Sequence, residues 1–225
     1  MNSKLLIFDL DDTLIDTTGC IAPLKLKMAL SAMVDAGLHV DSFSNALFQL
    51  KKIDTKSPSG KKSIHLFLEK MGASEDLCKI GVETYYEFKD LNFSVNTLPR
   101  ANEMLYELNR SHDLVIVSKG IEKVQLLKMQ KAGIDPTLFK KVVITNEYYK
   151  KSEYQKVIKE LQYLPENTIV CGDRVDGDLL PAKELGLKTV HIQWGRGKLF
   201  KLNNENIDYS IKDLSELKNI VKEMM

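Results

Sequence analysis

Short apolar runs separated by amphipathic stretches constrain this chain more than any other feature. Leu5–Phe8, Leu114–Val117, Val142–Ile144, Thr168–Cys171 and Thr189–Ile192 are apolar almost throughout and too short for helices. Such runs fit strands of a parallel sheet covered on both faces. Strands alternating with helices predict a layered α/β fold with a mainly parallel, Rossmann-like sheet in three layers, α/β/α. Helical spacing marks Ala101–Leu108, Val124–Lys128, Val157–Leu161 and about Asp178 to Leu185. Ile207–Ile211 extends the pattern as a last short strand, and Leu217, Ile220, Val221 and Met224 stripe a terminal helix. Residues 21 to about 92 break the alternation. Ile21, Leu24 and Met28, then Ile64, Phe67 and Met71, recur at helical spacing, with a loop at Thr55–Gly60 and no strand.

Ligands of such sheets bind at the carboxyl ends of the strands, so the polar residues after each apolar run matter most. Asp9 and Asp11 follow the first run, and Ser118, Lys119 and Gly120 the second. A loop with Lys150 and Lys151 follows the third, and Gly172, Asp173, Asp176 and Asp178 the fourth. Alternation along a strand lets Asp9 and Asp11 point the same way. Two such carboxylates raise each other's pKa, and a divalent cation offsets this most simply. A carboxylate beside a hard cation, with a second carboxyl in reach, is a nucleophile plus an acid/base, a design for phosphoryl transfer. Taken singly, Asp-x-Asp reads as a solvated turn, Ser118 as a helix N-cap and Lys150 as a surface lysine. Their ordered recurrence after successive strands favours one site.

Composition excludes several classes. The net charge of the 225 residues is +1, which gives no pull toward nucleic acid or a membrane surface. The three cysteines, Cys20, Cys78 and Cys171, have no metal-binding spacing and read as reduced thiols. No run approaches the about 18 apolar residues of a membrane span, and the chain starts with no leader pattern. A soluble cytoplasmic protein, monomer or homodimer, is expected. Gly60-Lys61-Lys62-Ser63 resembles the end of a nucleotide-binding loop, but Thr55 stands where the first glycine belongs. His191 reads as a packed core histidine, and Trp194 as a packing residue with substrate contact as the alternative.

Together these motifs resemble the haloacid dehalogenase superfamily, most of whose members are phosphatases. Asp9-x-Asp11-x-Thr13 is similar to its first motif and Ser118 to its second. The fourth is similar to Gly172-Asp173 followed by Asp176 and Asp178. The third motif, a lysine before a helix, is Lys150 or Lys151; the family's usual Lys-Pro is here Lys150-Lys151-Ser152, with Ser152 as a plausible N-cap. The resemblance covers 1–18 and 95–225 as the hydrolase core. It implies that 19–94 is a helical (C1-type) cap inserted after the first strand.

The resemblance implies a magnesium-dependent phosphatase of a small phosphorylated metabolite. Asp9 would attack phosphorus to form an aspartyl-phosphate, and Asp11 would serve as acid and then base. Mg2+ would be held by Asp9, the Asp11 carbonyl and Asp173, with Asp178 orienting a bound water or the lysine. Thr13, Ser118, Lys119 and Gly120 would bind the phosphate, and Lys150 or Lys151 would balance charge. Dehalogenases of the family lack an acid at the position of Asp11, so its presence favours phosphate chemistry. A phosphomutase would share every motif, and a non-catalytic phospho-ligand-binding protein is the rival from another class.

Overall fold

The computed structural model describes residues 3–87, 92–200, 205 and 207–223. The chain divides into two compact units, Met1–Asp16 with Val95–Met225, and Thr17–Ser94.

The first unit is built on strands β1 (Leu5–Phe8), β2 (Asp113–Lys119), β3 (Phe139–Thr145), β4 (Thr168–Gly172), β5 (Lys188–Ile192) and β6 (Tyr209–Ile211). Among the described residues they form a six-stranded sheet in the order β3-β2-β1-β4-β5-β6. Every pairing is parallel. The order reverses at β1, which pairs with β2 on one side and β4 on the other, so Phe8 lies level with Ile116 and Cys171. A crevice outside the carboxyl ends of the strands at such a reversal is where this architecture holds ligands.

The second unit consists of α1 (Thr17–Cys20), α2 (Ala22–Asp35), α3 (Phe43–Asp54), α4 (Gly60–Lys70) and α5 (Glu75–Tyr86). Leu26, Leu30, Met33, Leu50, Ile64 and Phe67 build a separate core there. Ser42 and Ser59 cap α3 and α4 by accepting the N–H of Asn45 and Lys62. Gly60 therefore opens a helix rather than a nucleotide loop. Residues 88–91, at the end of the expected helical stretch, lie outside the described residues, as does Met224.

The remaining helices belong to the sheet: α6 (Ala101–Leu108), α7 (Glu122–Lys131), α8 (Lys151–Leu161), α9 (Leu180–Lys183) and α10 (Leu217–Glu223). Leu5, Ile7, Val115, Val117 and Val170 share one face with Tyr154 and Val157 of α8 and Ala182 of α9. The alternate residues Leu6, Phe8, Leu114 and Ile116 are equally buried and point to the opposite face. Full burial of each such side chain stabilises the fold by about 1.5–3 kcal/mol, and strand ends anchored this way are fixed platforms for polar groups.

The expected helix from Asp178 is different in detail. Val175–Leu179 is a π-helical turn, and α9 begins only at Leu180. Both Asp178 and Leu179 donate their N–H to the Arg174 carbonyl, the wider closure that defines such turns. Ser152 is not the N-cap of α8 either. Lys150 occupies that position without a capping side chain, and the Ser152 hydroxyl meets Glu153.

Candidate active site

β1 ends by delivering Asp9 into a tight reversal. The N–H of Asp9 donates to the Cys171 carbonyl at 3.0 Å, and Leu14 and Ile15 both donate to the Leu10 carbonyl. Asp12 adopts φ +57°, a left-handed conformation that aspartate tolerates better than most residues. Asp9 is thereby buried, while the Asp11 side chain stays 29% exposed.

Lys150 is the hub behind Asp9. Its buried ammonium donates to Asp9 Oδ1 at 2.5 Å and pairs with Asp178 Oδ1 at 2.6 Å. The other Asp178 oxygen accepts the Arg174 N–H at 3.1 Å. A Cβ on Gly172 would stand 2.6 Å from that same Asp178 oxygen, so glycine there lets Asp178 fold back across the end of β4. Burial, opposed by Lys150 and aided by the charges of Asp178 and Asp11, pushes the Asp9 carboxyl up to about 7. Burial alone would lower Lys150, but Asp178 and Asp9 outweigh it and hold its pKa well above the ordinary lysine value. Burial, then the nearby acids, also raises the Cys171 thiol, which stays protonated and inert.

Asp11 has its own partners. Lys128 Nζ donates to its two oxygens at 2.8 and 2.9 Å, and Gln125 Nε2 donates to Asp11 Oδ2 at 3.0 Å. The same Gln125 nitrogen reaches Ser118 Oγ at 2.8 Å. Helical spacing places Lys128 in a helix, but the apolar pattern by itself brings neither it nor Gln125 to the site. The available signal is their spacing, since residues three apart on α7 share a face, here one they share with the buried Met129.

Not every expected residue joins this cluster. Lys151 does not enter the cluster: it lies at the exposed start of α8 and pairs with Glu184 at 2.7 Å. Asp176 accepts the Tyr148 hydroxyl at 2.6 Å, and Lys119 places its ammonium 5.3 Å from the centre of the Tyr148 ring. Gly120 does not turn its N–H toward the cluster, because that N–H donates to the Thr145 carbonyl of β3. Thr13 is buried, and its hydroxyl makes no hydrogen bond. His191 is buried as expected. The Trp194 indole donates to Asp16 at 2.9 Å.

One oxygen each of Asp9, Asp173 and Asp178 lie within 4.8 Å of one another. Asp173 Oδ2 is buried without a hydrogen bond, with Arg174 Nε 3.2 Å away as a charge neighbour only. Burial, followed by the charge of Asp12, drives the Asp173 carboxyl far above its ordinary value. Hard oxygen donors at this spacing, one of them unsatisfied, fit a small divalent cation such as magnesium.

A parallel sheet in this order, with buried carboxylates and a lysine gathered at its carboxyl edge, is an α/β architecture whose site holds the groups that phosphoryl transfer requires. The haloacid dehalogenase-like hydrolase family model matches residues 6–192, and the chain belongs to that family. The chain is 33% identical to a glyceraldehyde 3-phosphate phosphatase of Methanocaldococcus jannaschii, over 98% of each chain. It is 27% identical to one of Methanothermobacter thermautotrophicus, over 97% of this chain and 99% of the relative. Among solved structures, the HAD-hydrolase YfnB of Bacillus subtilis, bound to magnesium, is 20% identical. It superposes with a TM-score of 0.68 over 98% of this chain and 99% of that one. A haloacid dehalogenase-like hydrolase of Streptococcus pneumoniae is 21% identical, with a TM-score of 0.67 over 97% and 98% of the two chains.

Proposed function

We propose that this chain is a magnesium-dependent phosphatase of a small phosphorylated metabolite, and that a triose phosphate of the glyceraldehyde 3-phosphate type is its substrate. The observation that carries the reaction is the buried Lys150 bridge between Asp9 and Asp178, with Asp11 two residues further on. The names of the archaeal relatives support the substrate class.

In this mechanism an Asp9 oxygen forms a bond to phosphorus as the ester P–O bond breaks. Asp11 gives its proton to the departing alkoxide. Water then attacks phosphorus, Asp11 takes the proton, and the Asp9–phosphorus bond breaks to leave inorganic phosphate and the free carboxylate. Lys150 keeps Asp9 oriented and offsets negative charge, and Ser118 faces the phosphate. Asp9, Asp173 and the Asp11 carbonyl would hold magnesium, which when bound supplies positive charge that screens the substrate and keeps the carboxylates ionised. The helical unit, inserted between Asp16 and Val95, serves as the cap that selects substrate.

Hydrolysis of p-nitrophenyl phosphate and glyceraldehyde 3-phosphate, with magnesium and with chelator, tests this reading. Wild type should release phosphate only with magnesium, and Asp9→Asn should lose turnover at least about a thousandfold. Activity retained in Asp9→Asn would remove the nucleophile assignment. Turnover of the aryl ester but not of the triose phosphate would remove the substrate assignment alone.

A further inference from the structure

We propose that Gln125 and Lys128 are positioning residues that fix the Asp11 carboxyl and the Ser118 hydroxyl as one preorganised unit. The inference rests on the phosphatase reading and adds to it the part of the fold that aims the acid/base.

Three observations carry it. First, Lys128 and Gln125 are buried, 6% and 2% exposed, and a buried ammonium or amide without partners is costly. Asp11 meets the ammonium with both its oxygens, so the pair is held at two points and rotation of the carboxyl is restricted. Second, Gln125 Nε2 spans Asp11 and Ser118, linking two residues 107 positions apart in sequence that act on opposite partners of the reaction, the leaving group and the phosphate. Third, the backbone makes room for this bridge. Gly120 lies at φ +155°, and a Cβ there would stand 3.0 Å from the Gln125 side chain. With its N–H already given to Thr145, Gly120 contributes space for Gln125.

Charge is divided accordingly. Lys150 serves Asp9 and Asp178, and Lys128 serves Asp11. Nucleophile and acid/base therefore have separate cationic partners on separate elements, so removing one cation leaves the other carboxylate its own partner. Loss of the clamp should leave attack by Asp9 intact and impair the steps that need Asp11. With p-nitrophenyl phosphate the aryl oxide departs without a proton, whereas an alkyl phosphate needs one, and water attack on the aspartyl-phosphate needs a base for either substrate.

The test is pre-steady-state kinetics of the full chain with magnesium, comparing wild type, Gln125→Leu, Lys128→Met and Lys128→Arg. With p-nitrophenyl phosphate, Gln125→Leu and Lys128→Met should release about one equivalent of p-nitrophenolate in a burst, then turn over slowly. Their kcat on an alkyl phosphate should fall about 100-fold with KM little changed, and Lys128→Arg should recover most of it. Thermal melting separates this from general damage. A variant that melts like wild type yet shows no burst, or loses activity equally at both steps, overturns the inference. Wild-type kinetics in both substitutions also overturn it, while leaving the phosphatase reading intact. A wild type unable to turn over any phosphate ester overturns both.

Discussion

Gly172 shows how much a single backbone position decides. Its missing side chain is the space occupied by Asp178, and Asp178 in turn shares Lys150 with Asp9. Gly172→Ala would force Asp178 away from the strand end, because the atoms in the way include its own Cβ at 2.7 Å. The expected result is a loss of about 1–3 kcal/mol by overpacking together with loss of turnover, measured by denaturant unfolding and phosphate release. Unchanged turnover would mean that Asp178 is not needed where it stands. The contrast between Lys150 and Lys151 belongs to the same scale. Adjacent residues at a helix start differ by about a third of a turn, enough to send one ammonium into the cluster and the other to Glu184. Neither sequence spacing nor composition separates the two; only the path of the loop before α8 does.

Among elements, the strands were the legible part, because an apolar run flanked by turns has few other uses in a chain of this composition. Leu5–Phe8 is reproduced to the residue, and β4 and β5 differ from expectation by one position at one end. Less legible were the pieces whose form depends on distant partners. The π-helical turn after β4 takes its shape as Asp178 reaches back to Arg174 and across to Lys150, and α7 hides its role because its buried face mixes Gln125 and Lys128 with Met129 and carries no continuous apolar stripe. The start of the sheet makes a prediction of its own. The Lys4 N–H donates to His112 Nδ1 at 3.2 Å, and the Asp113 N–H donates to the Lys4 carbonyl. Burial, then the Lys4 charge, holds the His112 pKa below the ordinary imidazole value. The unfolded chain therefore binds the extra proton first as pH falls. The contribution of His112 to stability should be full above about pH 6.5 and decline below it until the folded-state value is passed. His112→Asn keeps an acceptor for Lys4 without titrating, and it should flatten that decline in unfolding measured from pH 8 to 5. An unchanged slope would place the titration elsewhere.

For the whole molecule, the acids at the sheet edge oppose folding by their mutual repulsion, and a bound cation should reverse that cost. Magnesium at 100 times its dissociation constant should stabilise the native state by about 2.7 kcal/mol, seen as a higher melting temperature that chelator abolishes. Asp173→Asn should reduce the shift, since Asp173 carries the unsatisfied oxygen. No shift in wild type would argue against a cation at these residues. Among the described residues, no helix is long and apolar enough to cross a membrane. Where the chain leaves and re-enters the sheet unit, Ile15 bridges Thr97 and the Asp16 N–H donates to the Asn96 carbonyl. The indole that ties down Asp16 belongs to the chain's only tryptophan. The sheet unit thus carries a built-in fluorophore hydrogen-bonded to Asp16, the last residue before the chain leaves that unit, and a shift in its emission on adding substrate would report a change at Asp16 with no label attached.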